Sequence, residues 1–521
     1  MTEYLDLLMF AALIAAILLG YPVSFTLTGI AVVFAGLGWA LGVFDLSLLG
    51  ALGQRIFGLI TNDVLIAIPL FVFMGVVLQQ SRIAEELLET MGRLFGSLRG
   101  GLGVSVILVG ALLAASTGIV GATVVAMGMI ALPTMLRNGY NPKLASGVVC
   151  TAGTLGQIIP PSTLLIILSD VMSNAYQQAQ FRQGLFTIDT ISVGQTFAAA
   201  LVPGLLLVVI YTGYMLAKAW ISPKSAPALA VALERPDTAT VLHALLPPLL
   251  LIVAVLGSIL GGIATPTEAA SVGAVGALLL AATRQQEGRG RRSPKLILAG
   301  GAALLALAIL AHLAPIRLQR GDVGPGDWAV GAFAMALVAV AAAAIGQALW
   351  RAWRSDLLKP VMTSTLTITA MIFATILTAS VFALVFRGLG GDEHLEAIIA
   401  AMPGGADGAL LFVMALIFVL GFFLDFVEIS VIVLPLVAPI LIVMGHDPVW
   451  LSILIAINLQ TSFLTPPFGF SLFYLRGAAP KEITTGQIYA GVMPFIGLQI
   501  LGMSLLWLWQ PLATAMPRWL F

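Results

Sequence analysis

Apolar runs of about twenty residues recur along the whole chain, each long enough to cross the hydrocarbon core of a bilayer as a helix. Hydrocarbon offers no partner to a backbone N–H or C=O, so only helices and closed barrels span it. The period-two alternation of a barrel strand is absent. The expected fold is therefore an all-α polytopic membrane protein. Composition agrees: 60% of residues are hydrophobic and 9% charged, against about 25% charged in a soluble domain. A formal net charge of zero gives no case for nucleic acid or for a polybasic lipid-binding tail. The lone cysteine, Cys150, excludes an internal disulfide framework and reads as a small buried apolar residue. The opening MTEYLDLLMF has no Lys or Arg, so the basic region of a secretory signal is missing and the first helix is expected to be retained.

Twelve spanning helices are expected, near 5–20, 22–40, 63–80, 145–168, 196–217, 241–260, 266–283, 296–316, 328–348, 361–386, 449–474 and 487–511. Lys and Arg in short loops mark the cytoplasmic side. RQQEGRGRRSPK (Arg284 to Lys295) is the strongest marker, supported by Arg351, Arg354, Lys359, Lys218, Lys224 and Arg235. The acid-rich RGLGGDEHLE (Arg387 to Glu396) then falls outside, as do both termini. Residues 82–99 carry Ile83, Leu87, Met91, Leu94 and Leu98 on one face, which predicts an amphipathic helix along the cytoplasmic surface.

Two apolar stretches, 100–136 and 408–444, have both ends on one side, cytoplasmic for the first and outer for the second. Two full crossings need about 40 residues plus a turn, and each stretch has 37. Length favours a re-entrant hairpin, although two tight crossings would leave the loops on the same sides. At an offset of 306 residues, Pro133 falls on Pro439, Gly139 on Gly445, Pro142 on Pro448, Pro160 on Pro466 and Pro161 on Pro467. One copy begins inside and the other outside, so the pattern is an inverted-topology repeat.

The paired prolines break a helix at membrane depth in each copy. Such a break persists only where it is buried in protein or lines a cavity. It exposes amides at one half-helix end, which attract anions, and carbonyls at the other, which suit cations. The first cluster is Ser116, Thr117 and Gly118 with Gly153, Thr154, Gly156, Gln157 and Pro160. The second is Asp425, Glu428 and Ser430 with Thr461, Ser462, Thr465, Pro466, Pro467 and Gly469. Small hydroxylated residues and glycines let oxygens approach a hard cation such as Na⁺. Carboxylates at membrane depth are costly, which marks Asp425 and Glu428 as functional candidates. Ser, Thr and Gly also serve ordinary helix packing, and Glu428 could face a polar partner away from the ion. TPTE (Thr265 to Glu268) has a local explanation as an N-cap, a first-turn proline and a capping box.

Signatures of an enzyme are missing. No GxxxxGK[ST] loop is present for a nucleotide, and His243, His312, His394 and His446 are scattered. No organic cofactor is expected. The motifs TPTEAA, IPLFVFMG, LRGGLGVSV, IIPPS and LTPPFG resemble, in order along nearly the whole chain, the large membrane subunit of tripartite ATP-independent periplasmic (TRAP) transporters. The likeness is greatest to a subgroup with AASTGIVGATVV and GTLGQIIPPS.

The resemblance implies an elevator-type importer in the bacterial cytoplasmic (inner) membrane, using a Na⁺ gradient to take up an organic acid anion. A periplasmic binding protein would deliver the solute, and a small membrane subunit, not fused at the N-terminus, would complete the complex within the lipid. It implies two Na⁺ sites. One comprises Ser116, Thr117, Gly118, Gly153, Thr154, Gly156 and Pro160, and the other Asp425, Thr461, Ser462, Thr465, Pro466 and Gly469. Ser116, Thr117, Gln157, Glu428 and Ser430 are the candidates for the solute. The domain reading is 1–99 scaffold and cytoplasmic arm, 100–195 first transport half, 196–283 scaffold helices, 284–360 an added two-helix insertion, 361–407 scaffold helix and outer loop, 408–486 second transport half, and 487–521 C-terminal helix. Residues 170–195 read as a longer outer loop than the family pattern. The alternatives are a scaffold or ion-translocating subunit without an organic substrate, and an anion transporter that needs no binding protein.

Overall fold

The structure is a computed structural model that describes residues 4–81, 83–118, 120–186, 188–229, 237–284, 295–313 and 324–521. No strand occurs among the described residues. The helices are α1 (Leu5–Leu18), α2 (Val23–Ala40), α3 (Leu52–Ile60), α4 (Asp63–Gln80), α5 (Ile83–Phe95), α6 (Gly101–Thr117), α7 (Val120–Arg137), α8 (Pro142–Thr154), α9 (Thr163–Arg182), α10 (Val193–Ile221), α11 (Thr238–Leu260) and α12 (Pro266–Arg284). There follow α13 (Lys295–Leu313), α14 (Pro325–Arg354), α15 (Leu358–Gly388), α16 (Gly391–Ala400), α17 (Gly405–Leu420), α18 (Phe426–Ile432), α19 (Leu434–Val443), α20 (Pro448–Leu464), α21 (Phe470–Ala478), α22 (Thr485–Leu508) and α23 (Pro511–Leu520). Nine of these are long and apolar enough to cross a membrane, or eleven if two bent pairs each count as one span, among the described residues. Eight of the nine are among the twelve expected and the ninth is α7 of the first hairpin; the four expected spans that fall short are α1 and α13, which are short, and the two proline-broken segments, which are split.

The repeat holds at the level of single hydrogen bonds. Asn141 and Asp447 cap α8 and α20. One turn on, Ser146 and Ser452 each donate to the N1 proline carbonyl, of Pro142 and Pro448, at 2.7 Å. Before the caps, Gly139 and Gly445 close matching left-handed turns, their N–H groups donating to Leu136 and Ile442. The peptide bonds Pro160–Pro161 and Pro466–Pro467 are both cis. The equivalence reaches the arms: Glu86 on α5 pairs with Arg284 at 3.0 Å, and its mate Asp392 on α16 pairs with Arg387 at 3.4 Å.

Several expectations change. Residues 170–182 are not loop but the outer part of α9, because no Gly or Pro interrupts the segment before Gly184. This makes α9 20 residues long against 9 for α21. The acidic outer segment holds a helix, α16, tied to the end of α9 by Arg182–Glu396 at 2.8 Å. Region 487–521 holds two helices, since α22 gives way at Trp509 and α23 restarts at Pro511. The amphipathic arm stops at Phe95, so Leu98 is exposed while Ile83, Leu87 and Met91 are buried against α6 and α11. α10 and α22 pack on α8, α9 and α20, and they open with matching capping boxes, Ser192–Gln195 and Thr484–Gln487. The expected Thr265–Glu268 box is present, with Thr265 N–H donating to Glu268 at 2.8 Å. The inserted pair α13 and α14 packs on itself and on α12. The loop segment 285–294 lies outside the described residues.

Candidate functional site

Both stretches read as re-entrant fold back on themselves. Arms of 17 and 18 residues in α6 and α7 reach about 25–27 Å at 1.5 Å per residue, just under the roughly 30 Å core. The first turn is made by Gly118, whose φ of +59° suits a residue without a Cβ. The tip ends inside protein: Thr163 Oγ donates to the Gly118 carbonyl at 2.9 Å. The side chains of Ser116 and Thr117 lie outside the described residues. We expect Thr163→Val, which keeps the shape but leaves the buried Gly118 carbonyl without its donor, to lose about 1–3 kcal/mol of stability. A thermal midpoint equal to wild type would contradict this.

The first break follows α8. Gly153 and Thr154 end the helix, Gly156 and Gln157 form a short 3₁₀ turn, and Pro160 and Pro161 fill the gap before α9. All of these are buried. Thr154 Oγ donates to the Thr151 carbonyl at 2.9 Å. Both amide atoms of Gln157 are buried without a partner. Buried polar atoms in a native fold are nearly always bonded, so an orphaned amide at a helix break calls for a ligand or water.

The second break follows α20. Thr461 and Ser462 lie in its last turn, Thr465 ends it, Pro466 and Pro467 form the gap, and Gly469 opens α21. The three hydroxyls donate to backbone carbonyls: Thr461 to Ile457, Ser462 to Leu459 and Thr465 to Thr461, at 2.7–2.8 Å. Donating inward leaves their oxygen lone pairs free to accept, which suits a hard cation. The tip of the second hairpin docks here. Gly421 approaches so closely that a Cβ would meet Ser462 Oγ at 2.1 Å. Phe423 packs at a tilt on Phe468 with ring centroids 5.4 Å apart, and Phe463 lies between Phe426 and Phe470. These aromatic clamps were not singled out in the sequence; the FF pair before Asp425 was their only signal.

Asp425 and Glu428 also have a structural task that was not expected from the sequence, although their spacing fits it. Asp425 Oδ1 accepts from Phe426 N–H at 2.7 Å, and Glu428 Oε2 accepts from Asp425 N–H at 2.8 Å. Asp-x-x-Glu is a capping box, the same logic that explains Thr265 and Glu268. Ser430, two residues on, keeps a buried hydroxyl with no partner. Among the described residues no group of three or more His, Cys, Asp or Glu could hold a metal ion.

The two breaks meet. Gln460 Nε2 donates to Thr154 Oγ at 3.4 Å, and these residues are 306 apart, equivalents in the two repeats. A residue touching its own repeat mate marks the pseudo-two-fold axis. The axis therefore passes through a polar contact between the two interrupted helices.

The sequence matches the tripartite ATP-independent periplasmic transporter, DctM component, family over residues 10–318 and 328–512. The chain belongs to this family. A C4-dicarboxylate TRAP transporter large permease protein, DctM, of Vibrio cholerae is 28% identical over 95% of this chain and 93% of its own length. An isethionate TRAP transporter permease protein, DctMQ, of Oleidesulfovibrio alaskensis is 27% identical over 93% of this chain and 63% of its own length. The crystal structure of the Alcanivorax borkumensis YdaH transporter matches with a TM-score of 0.53 and 16% identity over 91% of this chain and 88% of that one, a likeness of fold alone. As a DctM-family chain, the protein is a multi-pass large membrane subunit of a TRAP transporter in the bacterial inner membrane.

Proposed function

We propose that this chain imports an organic acid anion by Na⁺-coupled secondary transport, with the two facing helix breaks as the central site. The observation that carries this is the Thr154–Gln460 contact, which sets both breaks on one axis with a hairpin tip docked at each. Na⁺ is taken by backbone carbonyls and hydroxyls at Gly118, Gly153, Thr154, Gly156 and Pro160 in the first repeat, with Ser116 and Thr117 at its hairpin tip. In the second repeat the ligands are Asp425, Thr461, Ser462, Thr465, Pro466 and Gly469. The orphaned Gln157 amide and Ser430 hydroxyl supply polar contacts to the solute. Relatives named for C4-dicarboxylates and for isethionate support an organic acid as cargo. A periplasmic binding protein delivers the solute. A small membrane subunit joins the complex, a partner suggested by the relative named DctMQ.

Transport proceeds by movement of one bundle past another. The moving bundle contains both hairpins, both broken helices and, from their packing, α10 and α22. The fixed part contains α1, α2, α4, α11, α12, α13, α14 and α15; within it α4 packs on α12 and α15, α2 on α15, and α14 on α13 and α12. The test is uptake by proteoliposomes holding both membrane subunits, with a binding protein loaded with organic acid. Uptake is expected only under an inward Na⁺ gradient. Equal uptake with K⁺ in place of Na⁺ would defeat the coupling, and equal uptake without the binding protein would favour a single-protein anion carrier.

A further inference from the structure

A cavity of about 210 Å³ lies on the outer side of the proposed central site, between α3, α4, α9, α15 and the α18–α19 segment. Its polar wall holds Arg55, Arg387, Asp170, Asn174, Gln178 and Ser380. From the central break, Thr163 to Asp170 along α9 and Asp425 to Val431 along α18 each span about 10 Å at 1.5 Å per residue. Two elements thus agree that the cavity sits one step outward of that site. An engineered cavity of about 150 Å³ holds benzene, so this one admits a solute of about eight non-hydrogen atoms.

The charges in it are unevenly satisfied. Arg387 pairs with Asp392 and donates to Gln178 Oε1 at 3.3 Å and to the Pro435 carbonyl at 3.0 Å. Asp170 accepts from Asn62 Nδ2 at 2.9 Å. Arg55 forms no salt bridge with any described residue, and the buried Ser380 hydroxyl has no hydrogen-bond partner. A guanidinium that faces a half-buried cavity and is not tied up in a salt bridge is a ready fork for an acid group. A solute whose acid group is seated on Arg55 and Ser380 shares the cavity with the Asp170 carboxylate. A second acid group there would meet the Asp170 carboxylate, whereas a hydroxyl could donate to it.

We propose that this cavity is an outer antechamber selecting a small organic monoanion, with its acid group on Arg55 and a hydroxyl toward Asp170. The inference rests on the transport reading above and assigns it a solute class. Its walls come from both the moving and the fixed helices, so the antechamber is complete only while the two lie in this register.

The test is equilibrium binding of labelled L-lactate and of succinate to the complete transporter in nanodiscs, in K⁺ buffer without Na⁺. Omitting Na⁺ separates this cavity from the central site. Wild type should prefer lactate. Arg55→Gln should weaken lactate at least tenfold, and Arg55→Lys should restore most of it. Asp170→Asn, nearly isosteric, should raise succinate affinity at least fivefold and so narrow the preference. Every variant is checked for an unchanged elution volume. Arg55→Gln binding like wild type, an unchanged lactate-to-succinate ratio in Asp170→Asn, or no lactate binding by wild type would each overturn the antechamber. Wild-type Na⁺-driven uptake tested in parallel reports on the transport reading alone, so the two can fail separately.

Discussion

A chain carrying Gly147→Ala should fail to accumulate as folded protein. A Cβ at Gly147 would sit 2.1 Å from the Gly491 carbonyl oxygen, and one at Gly491 would sit 2.0 Å from the Lys143 carbonyl oxygen. Both obstacles are backbone, so no rotamer change relieves them. α8 and α22 must separate by about an ångström. Adding a methylene to a tight core costs about 1–3 kcal/mol and occasionally more. Here the separation would also loosen Val148 and Phe495, which are buried, so the expected loss is about 3 kcal/mol or more. Gly491→Ala should behave alike. Gly213→Ala, on α10 with open space around it, should be neutral and supplies the control. Fluorescence-detected size exclusion and a thermal midpoint measure the outcome. A Gly147→Ala protein as abundant and as stable as Gly213→Ala would show that the crossing is looser than described. A backbone-to-backbone crossing of this kind resists sliding, which is why α22 is assigned to the same rigid body as the broken helix α8.

The repeat was legible because Gly and Pro write backbone conformation directly into sequence. Gly139 and Gly445 close turns, Pro142 and Pro448 start helices, and the paired prolines stop them. Five matches in one register were enough to place both breaks and both hairpins. The end of α9 was not legible in that way. Polar residues from Asp170 to Gln180 read as loop, yet they form helix because Arg182 finds Glu396 and Gln180 caps the turn at Asp189. Those partners are distant in sequence or depend on a fold not yet known. The helix pair α10 and α22 was missed as a repeat because the longer first-half segment shifts its register from 306 to 292, as Ser192 and Thr484 show. One fixed offset cannot align both the broken helices and this pair. The roles of Asp425 and Glu428 were half read. Their cost in the membrane marked them as important, but their spacing also makes a cap, and only the hydrogen bonds tell which task each oxygen performs.

Asp425→Asn should separate those two tasks and should raise the Na⁺ concentration for half-maximal uptake at least tenfold. Asparagine is as good an N-cap as aspartate, so it keeps an acceptor for the Phe426 N–H and leaves α18 and the hairpin tip in place. What it removes is the formal charge, at the point where the second hairpin faces Thr461, Ser462 and Thr465. Tenfold corresponds to about 1.4 kcal/mol, modest for deleting a charge beside a cation in a half-buried site. Asp425→Ala loses the cap as well, which alone costs about 0.5–2 kcal/mol, so it should add a drop in thermal midpoint that Asp425→Asn lacks. The contrast between the two variants carries the argument. If Asp425→Asn transports with wild-type Na⁺ dependence while Asp425→Ala is merely less stable, the carboxylate is a helix cap and nothing more. The second cation site would then have to be built from the neutral oxygens of the α20 break alone. If Asp425→Asn keeps the midpoint but loses Na⁺ affinity, one oxygen of the acid serves the helix while its charge serves the ion. The hairpin tip would then be ordered by the same residue that detects the coupling cation.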